Sequence, residues 1–168
     1  MFSPSEYQGS WFEIAKYPVF YEQFGPSCAY SVADYRYNRG GDGTPGYINV
    51  LNTCYNESGE AVNSILGIAK PKNKMGQFSL RFFPESFAPY PTNPGDASYN
   101  VLWTDYDNFS FVSDDNKTSF YVLSRKRDLT AQDYAFIKQK TVELGFNPSR
   151  LQYNFGQPPE TPGVIGVR

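Results

Sequence analysis

Short stretches rich in aromatic and β-branched residues recur about every dozen positions along most of the chain, each cut off by Gly, Pro, Asn or Asp, and this rhythm constrains the fold more than any other feature. Eight such stretches lie near residues 10–20, 28–38, 46–55, 60–71, 76–83, 98–104, 108–114 and 118–126. The breaks between them, among them Asn38-Arg39-Gly40-Gly41-Asp42-Gly43, Asn56-Glu57-Ser58-Gly59 and Asp114-Asp115-Asn116, are turn sequences. Turns this short make neighbouring strands pair in order. Consecutive antiparallel strands lose their open edges by closing, so the expectation is an all-β, eight-stranded antiparallel up-and-down barrel whose interior has room for one small ligand. The 18 % share of aromatic residues fits this, because flat rings pack well on pleated faces.

After the eighth stretch the period changes. Thr130 with Asp133 forms a capping-box pattern, Tyr134, Ile137, Thr141 and Leu144 repeat at helical spacing, and Gly145 followed by Pro148 supplies a stop. One C-terminal α-helix packed on the barrel wall is expected, then a short ninth strand near 150–155. Residues 1–155 read as a single domain and 156–168, rich in Gly and Pro, as a poorly ordered tail.

A net charge of −2 with one dense basic cluster at Arg125-Lys126-Arg127 gives no electrostatic footprint for nucleic acid. No apolar run reaches the length of a membrane-spanning helix. The opening Met1-Phe2-Ser3-Pro4 is not a secretory leader, yet Asn56, Asn108 and Asn116 each begin an N-glycosylation triplet at an expected turn. The reading is a secreted protein whose leader has been removed. With no His, no metal-ligand cluster and no nucleophile beside a base, the chain offers no catalytic constellation, and the acidic pairs Asp114-Asp115 and Asp105/Asp107 serve turns. A non-enzymatic protein with no metal is expected.

Three separated motifs carry more: Gly9-Ser10-Trp11-Phe12-Glu13-Ile14-Ala15, Thr104-Asp105-Tyr106, and Arg125 closing Tyr121-Val122-Leu123-Ser124-Arg125. In this order around eight strands the chain resembles the lipocalins, in particular the group of apolipoprotein D, bilin-binding and bacterial members, from about Tyr7 to Phe155. In an up-and-down barrel all three motifs fall at one end. The resemblance implies a closed floor built from Gly9, Trp11, Thr104, Asp105, Tyr106 and Arg125, with the Arg125 guanidinium stacked on the Trp11 indole.

The loops near 18–27, 56–59, 84–97 and 114–117 then form the mouth, with Phe20, Tyr21, Phe24, Phe87 and Tyr90 on the two longest. Alternation counted back from Arg125 puts Leu123 and Tyr121 on the inner face and Val122 and Phe120 towards the helix. Residue by residue, the resemblance marks Tyr121, Tyr35, Asn52, Tyr99 and Val112 as lining the cavity. Asn56 stands where relatives carry an arginine, which leaves Arg81 or Lys70 as the partner for a ligand carboxylate. The implied function is transport or sequestration of a small hydrophobic molecule: a fatty acid or lysolipid, a retinoid or a linear tetrapyrrole. No cofactor is required. The alternatives are a chromoprotein holding a bilin or other apolar chromophore, and an isomerase using Cys54. The ligand's identity and the oligomeric state are not legible. For Cys28 and Cys54, a hairpin centred on Gly41 sets the two opposite each other, whereas strand alternation puts one outside and one inside. Relatives pair a cysteine with one in the tail, which this chain lacks, so free thiols are the expectation, with a Cys28–Cys54 disulfide the alternative.

Overall fold

The computed structural model describes residues 1–18, 28–43, 45–83 and 97–155. Eight strands, β1 (Gly9–Lys16), β2 (Tyr30–Asn38), β3 (Tyr47–Tyr55), β4 (Ala61–Pro71), β5 (Gln77–Phe83), β6 (Ala97–Thr104), β7 (Phe109–Ser113) and β8 (Phe120–Ser124), run antiparallel in sequence order. β1 pairs with both β8 and β2 and so closes the barrel. The ninth strand, β9 (Gln152–Tyr153), adds to β1 beyond the reach of β2.

β1 stops at Lys16 rather than running on to residue 20: Tyr17 still donates to the Phe120 carbonyl at 2.9 Å, and Pro18 has no N–H to continue the ladder. An element absent from the sequence reading is α1 (Pro4–Tyr7), a single helical turn capped by Ser3, whose side chain accepts from Glu6 N. Residues 19–27, 84–96 and 156–168, which contain the rings expected at the mouth and the tail, lie outside the described residues.

Alternation along the strands splits the buried side chains into two clusters. Trp11, Tyr35, Ile48, Val50, Phe78, Val112 and Leu123 fill the inside of the barrel. Ile14, Phe109, Phe111, Phe120 and Val122 face outwards and pack under α2 (Ala131–Glu143). The helix starts at the expected box, with Thr130 and Asp133 bonded reciprocally, and ends at Gly145, whose φ of 90° suits glycine. Its buried stripe is Ile137 and Thr141, with Tyr134 and Leu144 half-buried; the Phe136 ring, on Trp103 at 5.5 Å and Phe109 at 5.6 Å, widens it.

Three register shifts interrupt the ladders, between Glu13 and Ala15, between Cys54 and Tyr55, and between Val101 and Trp103. The first bears on the site, because it returns Lys16 to the inner face opposite Tyr121.

The β7–β8 turn is organised by Asp114, which accepts from the backbone N–H groups of Asn116, Thr118 and Ser119 and from the Thr118 and Ser119 hydroxyls. Partial burial pushes its carboxyl up, but the bonds from Ser119 and Thr118 outweigh burial and bring the pKa from 3.8 to about 2. A folded-state value below the unfolded one contributes stability that is present above about pH 4 and is lost as pH falls towards about 2. Denaturation midpoints should therefore fall less steeply across this window in Asp114→Asn than in wild type; parallel slopes would remove the turn from the acid response.

Candidate functional site

One end of the barrel is sealed by a single arginine. The Arg125 Cζ lies 3.8 Å from the centroid of Trp11, which is fully buried and donates from Nε1 to the Tyr7 carbonyl at 2.8 Å. The guanidinium also donates to backbone oxygens on every side: Nε to Tyr106, Nη1 to Ser10, and Nη2 to Glu6, Tyr7 and Gln8, all between 2.9 and 3.2 Å. Several of these carbonyls are the orphans at the end of α1, where a cation is favoured.

Gly9 is required twice over. Its φ is 104°, and a Cβ there would stand 3.0 Å from Arg125 Nη1. The Thr104-Asp105-Tyr106 turn presents the acceptor for Nε: the Thr104 hydroxyl donates to Phe109 O and accepts from Tyr106 N, Asp105 accepts from Asn108 and Phe109, and Tyr106 is held at a φ of 67°.

Above this floor is a layer of tyrosines. The hydroxyls of Tyr35, Tyr99, Tyr7 and Ser110 form a chain with links of 2.8, 2.8 and 2.7 Å. Burial raises the pKa of all three phenols, that of Tyr7 to about 12 against the hydrogen bonds from Ser110 and Tyr99 and the Arg125 charge. They remain protonated at ordinary pH. The space left beside them, bounded also by Ile48, Val50, Phe78 and Leu80, is about 10 Å³, room for one water at most. The lower barrel is thus filled by its own side chains, and the hydroxyls of Tyr35 and Tyr99 are committed to one another. Tyr99 links Tyr35 to Tyr7, and Tyr99→Phe leaves the buried Tyr35 hydroxyl without this bond while Tyr7 keeps Ser110. The loss should be about 1–3 kcal/mol in urea denaturation, and an unchanged midpoint would contradict the network.

The inner face continues upwards through Ala33, Asn52, Val112, Leu123 and Tyr121, which the strand register sets on the same side as Trp11 and Tyr35. Lys70 and Arg81 do not join them. Ala69 and Gly67 point in, so Lys70, opposite Ser79, and Arg81, opposite Ile68, are on the outer wall, and neither reaches a ligand carboxylate inside. Asn56 is a turn residue whose Oδ1 accepts from Ser58 and Glu60. Sequence reasoning missed Tyr7, Glu13 and Lys16, the last two forming an ion pair of 3.5 Å on the inner face.

Cys28 and Cys54 are joined in a disulfide with Cα atoms 5.3 Å apart, contrary to the expectation of free thiols. The hairpin is centred between Asp42 and Gly43, since Ser31, not Cys28, stands opposite Cys54. Cys28 precedes β2, so strand alternation does not fix its direction, and the chain there can turn towards the inward-facing Cys54. A bonded Cys54 is no nucleophile, which removes the residue on which an isomerase would depend. Among the described residues no group of His, Cys, Asp and Glu is placed to hold a metal. Asn108 and Asn116 are exposed in their turns, and Asn56 is half-buried.

A family model described as a lipocalin-like domain matches residues 4–155. Temperature-induced lipocalin-1 of Arabidopsis thaliana is 28 % identical over 148 residues, 86 % of this chain and 74 % of the relative. Apolipoprotein D of Macaca fascicularis is 30 % identical over 146 residues, 82 % of this chain and 68 % of the relative. Among solved structures, lobster apocrustacyanin A1 shares the fold with a TM-score of 0.61 at 16 % identity, over 89 % of this chain and 77 % of that one. The cockroach allergen Per a 4 does so with 0.61 at 15 %, over 90 % and 87 %. With the closed barrel and the Trp11–Arg125 floor, these matches establish that the chain belongs to the lipocalin family, whose fold binds small hydrophobic molecules.

Proposed function

We propose that the protein carries or sequesters one small hydrophobic molecule in the upper half of its barrel, entered from the end opposite Arg125. The observation that supports this most is the contrast between the two halves. The floor and the tyrosine layer leave about 10 Å³, whereas the inner face above them, with Ala33, Asn52, Val112 and Tyr121, combines apolar walls with a few polar groups, the chemistry of a small-molecule site. In this reading Tyr121 contributes a ring and Asn52 a hydrogen-bonding amide, while Tyr35 and Tyr99 form the base on which the ligand rests.

The ligand is a retinoid, fatty acid, lysolipid or linear tetrapyrrole. Inward tyrosine rings favour a flat conjugated body, so a bilin or carotenoid, held as a pigment, is the second reading. The disulfide favours an oxidising compartment, consistent with secretion. Titration with retinol, biliverdin and a long-chain fatty acid, read by intrinsic fluorescence, should show saturable one-to-one binding of at least one. Tyr121→Ala should weaken it by about ten-fold, the effect of losing roughly 1.4 kcal/mol of ring contact. Absence of binding by all three would put the function on the outer surface instead, and visible absorbance of protein from its natural source would identify a pigment.

A further inference from the structure

Among the described residues, the upper barrel contains one ion pair on its inner face, largely withdrawn from solvent. Glu13 and Lys16 are three residues apart on β1, a spacing that would put them on opposite faces of a regular strand. The bulge between Glu13 and Ala15 instead brings both inward, opposite Leu123 and Tyr121. Lys16 Nζ stands 3.5 Å from Glu13 Oε1, the side chains are 17 % and 15 % exposed, and Oε1 is shielded from solvent. Among the described residues of β2 to β8, the inner face holds no other charged side chain. Replacing such a pair by apolar groups of similar volume is commonly neutral or stabilising, so it is not explained as a strut.

We propose that Glu13 and Lys16 receive the polar end of the ligand and select a neutral oxygen-bearing end, such as an alcohol, over a carboxylate. The inference rests on the barrel being a container, as argued above. A hydroxyl can donate to the Glu13 carboxylate and accept from the Lys16 ammonium without separating the two charges. A carboxylate entering the same space is attracted by Lys16 and repelled by Glu13 at nearly equal range. Its desolvation is then left largely uncompensated.

Retinol and retinoate share one apolar body and differ at that end, which makes them suitable probes. Wild type should bind retinol at least roughly ten-fold more tightly than retinoate. Glu13→Gln leaves Lys16 as the one charge on the described inner face of the strands and should reverse the order. If that variant does not give a cooperative thermal melt, Glu13→Gln/Lys16→Met, which removes both charges from the described inner face, takes its place. In it retinol should bind several-fold more weakly than in wild type, with retinoate still weak. Equal binding of the two probes by wild type, or a preference unchanged in the folded variant, overturns the selectivity while leaving the container intact. Binding of neither probe overturns the selectivity, and the container falls with it only if biliverdin and the long-chain fatty acid also fail to bind.

Discussion

Trp11→Ala should lower the stability of the domain by about 3–5 kcal/mol, the usual cost of truncating a fully buried tryptophan. This is a large part of the roughly 5–15 kcal/mol that a domain possesses. Three losses coincide. The indole is the plug of the barrel, its Nε1–H satisfies the Tyr7 carbonyl, and its face receives the Arg125 guanidinium at 3.8 Å. Without the ring, Arg125 still bonds to its backbone oxygens, yet it covers a cavity. Trp11→Phe keeps a plug and a face and should recover more than half of the loss. Urea denaturation of the two variants checks the ordering; equal losses would mean that the ring's volume and cation contact count for little.

The second large effect concerns the mouth. Removing the disulfide with Cys28→Ala/Cys54→Ala should cost about 3.5 kcal/mol at 25 °C, the loop-closure entropy of a bridge with a sequence separation of 26. Wild type treated with a thiol reductant should fall to the same denaturation midpoint, and the variant should not respond to the reductant. A wild type indifferent to reductant would show that the bridge constrains nothing. Because Cys28 precedes β2 and Cys54 ends the inward row of β3, the lost constraint is at the entrance rather than the floor.

The sequence made the strands legible for a physical reason: alternating apolar residues between Gly, Asn and Asp turns have few other solutions. The same alternation, counted back from Arg125, sorts Tyr121 and Leu123 from Phe120 and Val122, which the two buried clusters separate in the same way. Alternation misleads wherever a residue is inserted or the strand has ended. Glu13 was available from its place two residues after Trp11, but Lys16 turns inward only through a bulge that no residue type announces. Cys28 lies before β2 begins, so the alternation of that strand does not set its direction. Charge alone suits Lys70 and Arg81 to a ligand carboxylate, but the register puts them outside. Ser3-Pro4 is a helix-start sequence, yet four residues are too few to stand out before packing gives Tyr7 its place under the barrel.

The filled lower barrel also limits what the family resemblance can transfer. Tyr35 and Tyr99 are on the inner face, but their hydroxyls are joined to each other, so a ligand meets them as a surface. Where a ligand sits therefore decides between a container and a surface binder. Amide NMR spectra recorded with and without one equivalent of retinol test this most directly. The account predicts shifts at Ala33, Asn52 and Tyr121, with the floor amides of Gly9, Tyr106 and Arg125 unmoved. Shifts confined to the outer wall, around the exposed Leu66, would contradict it.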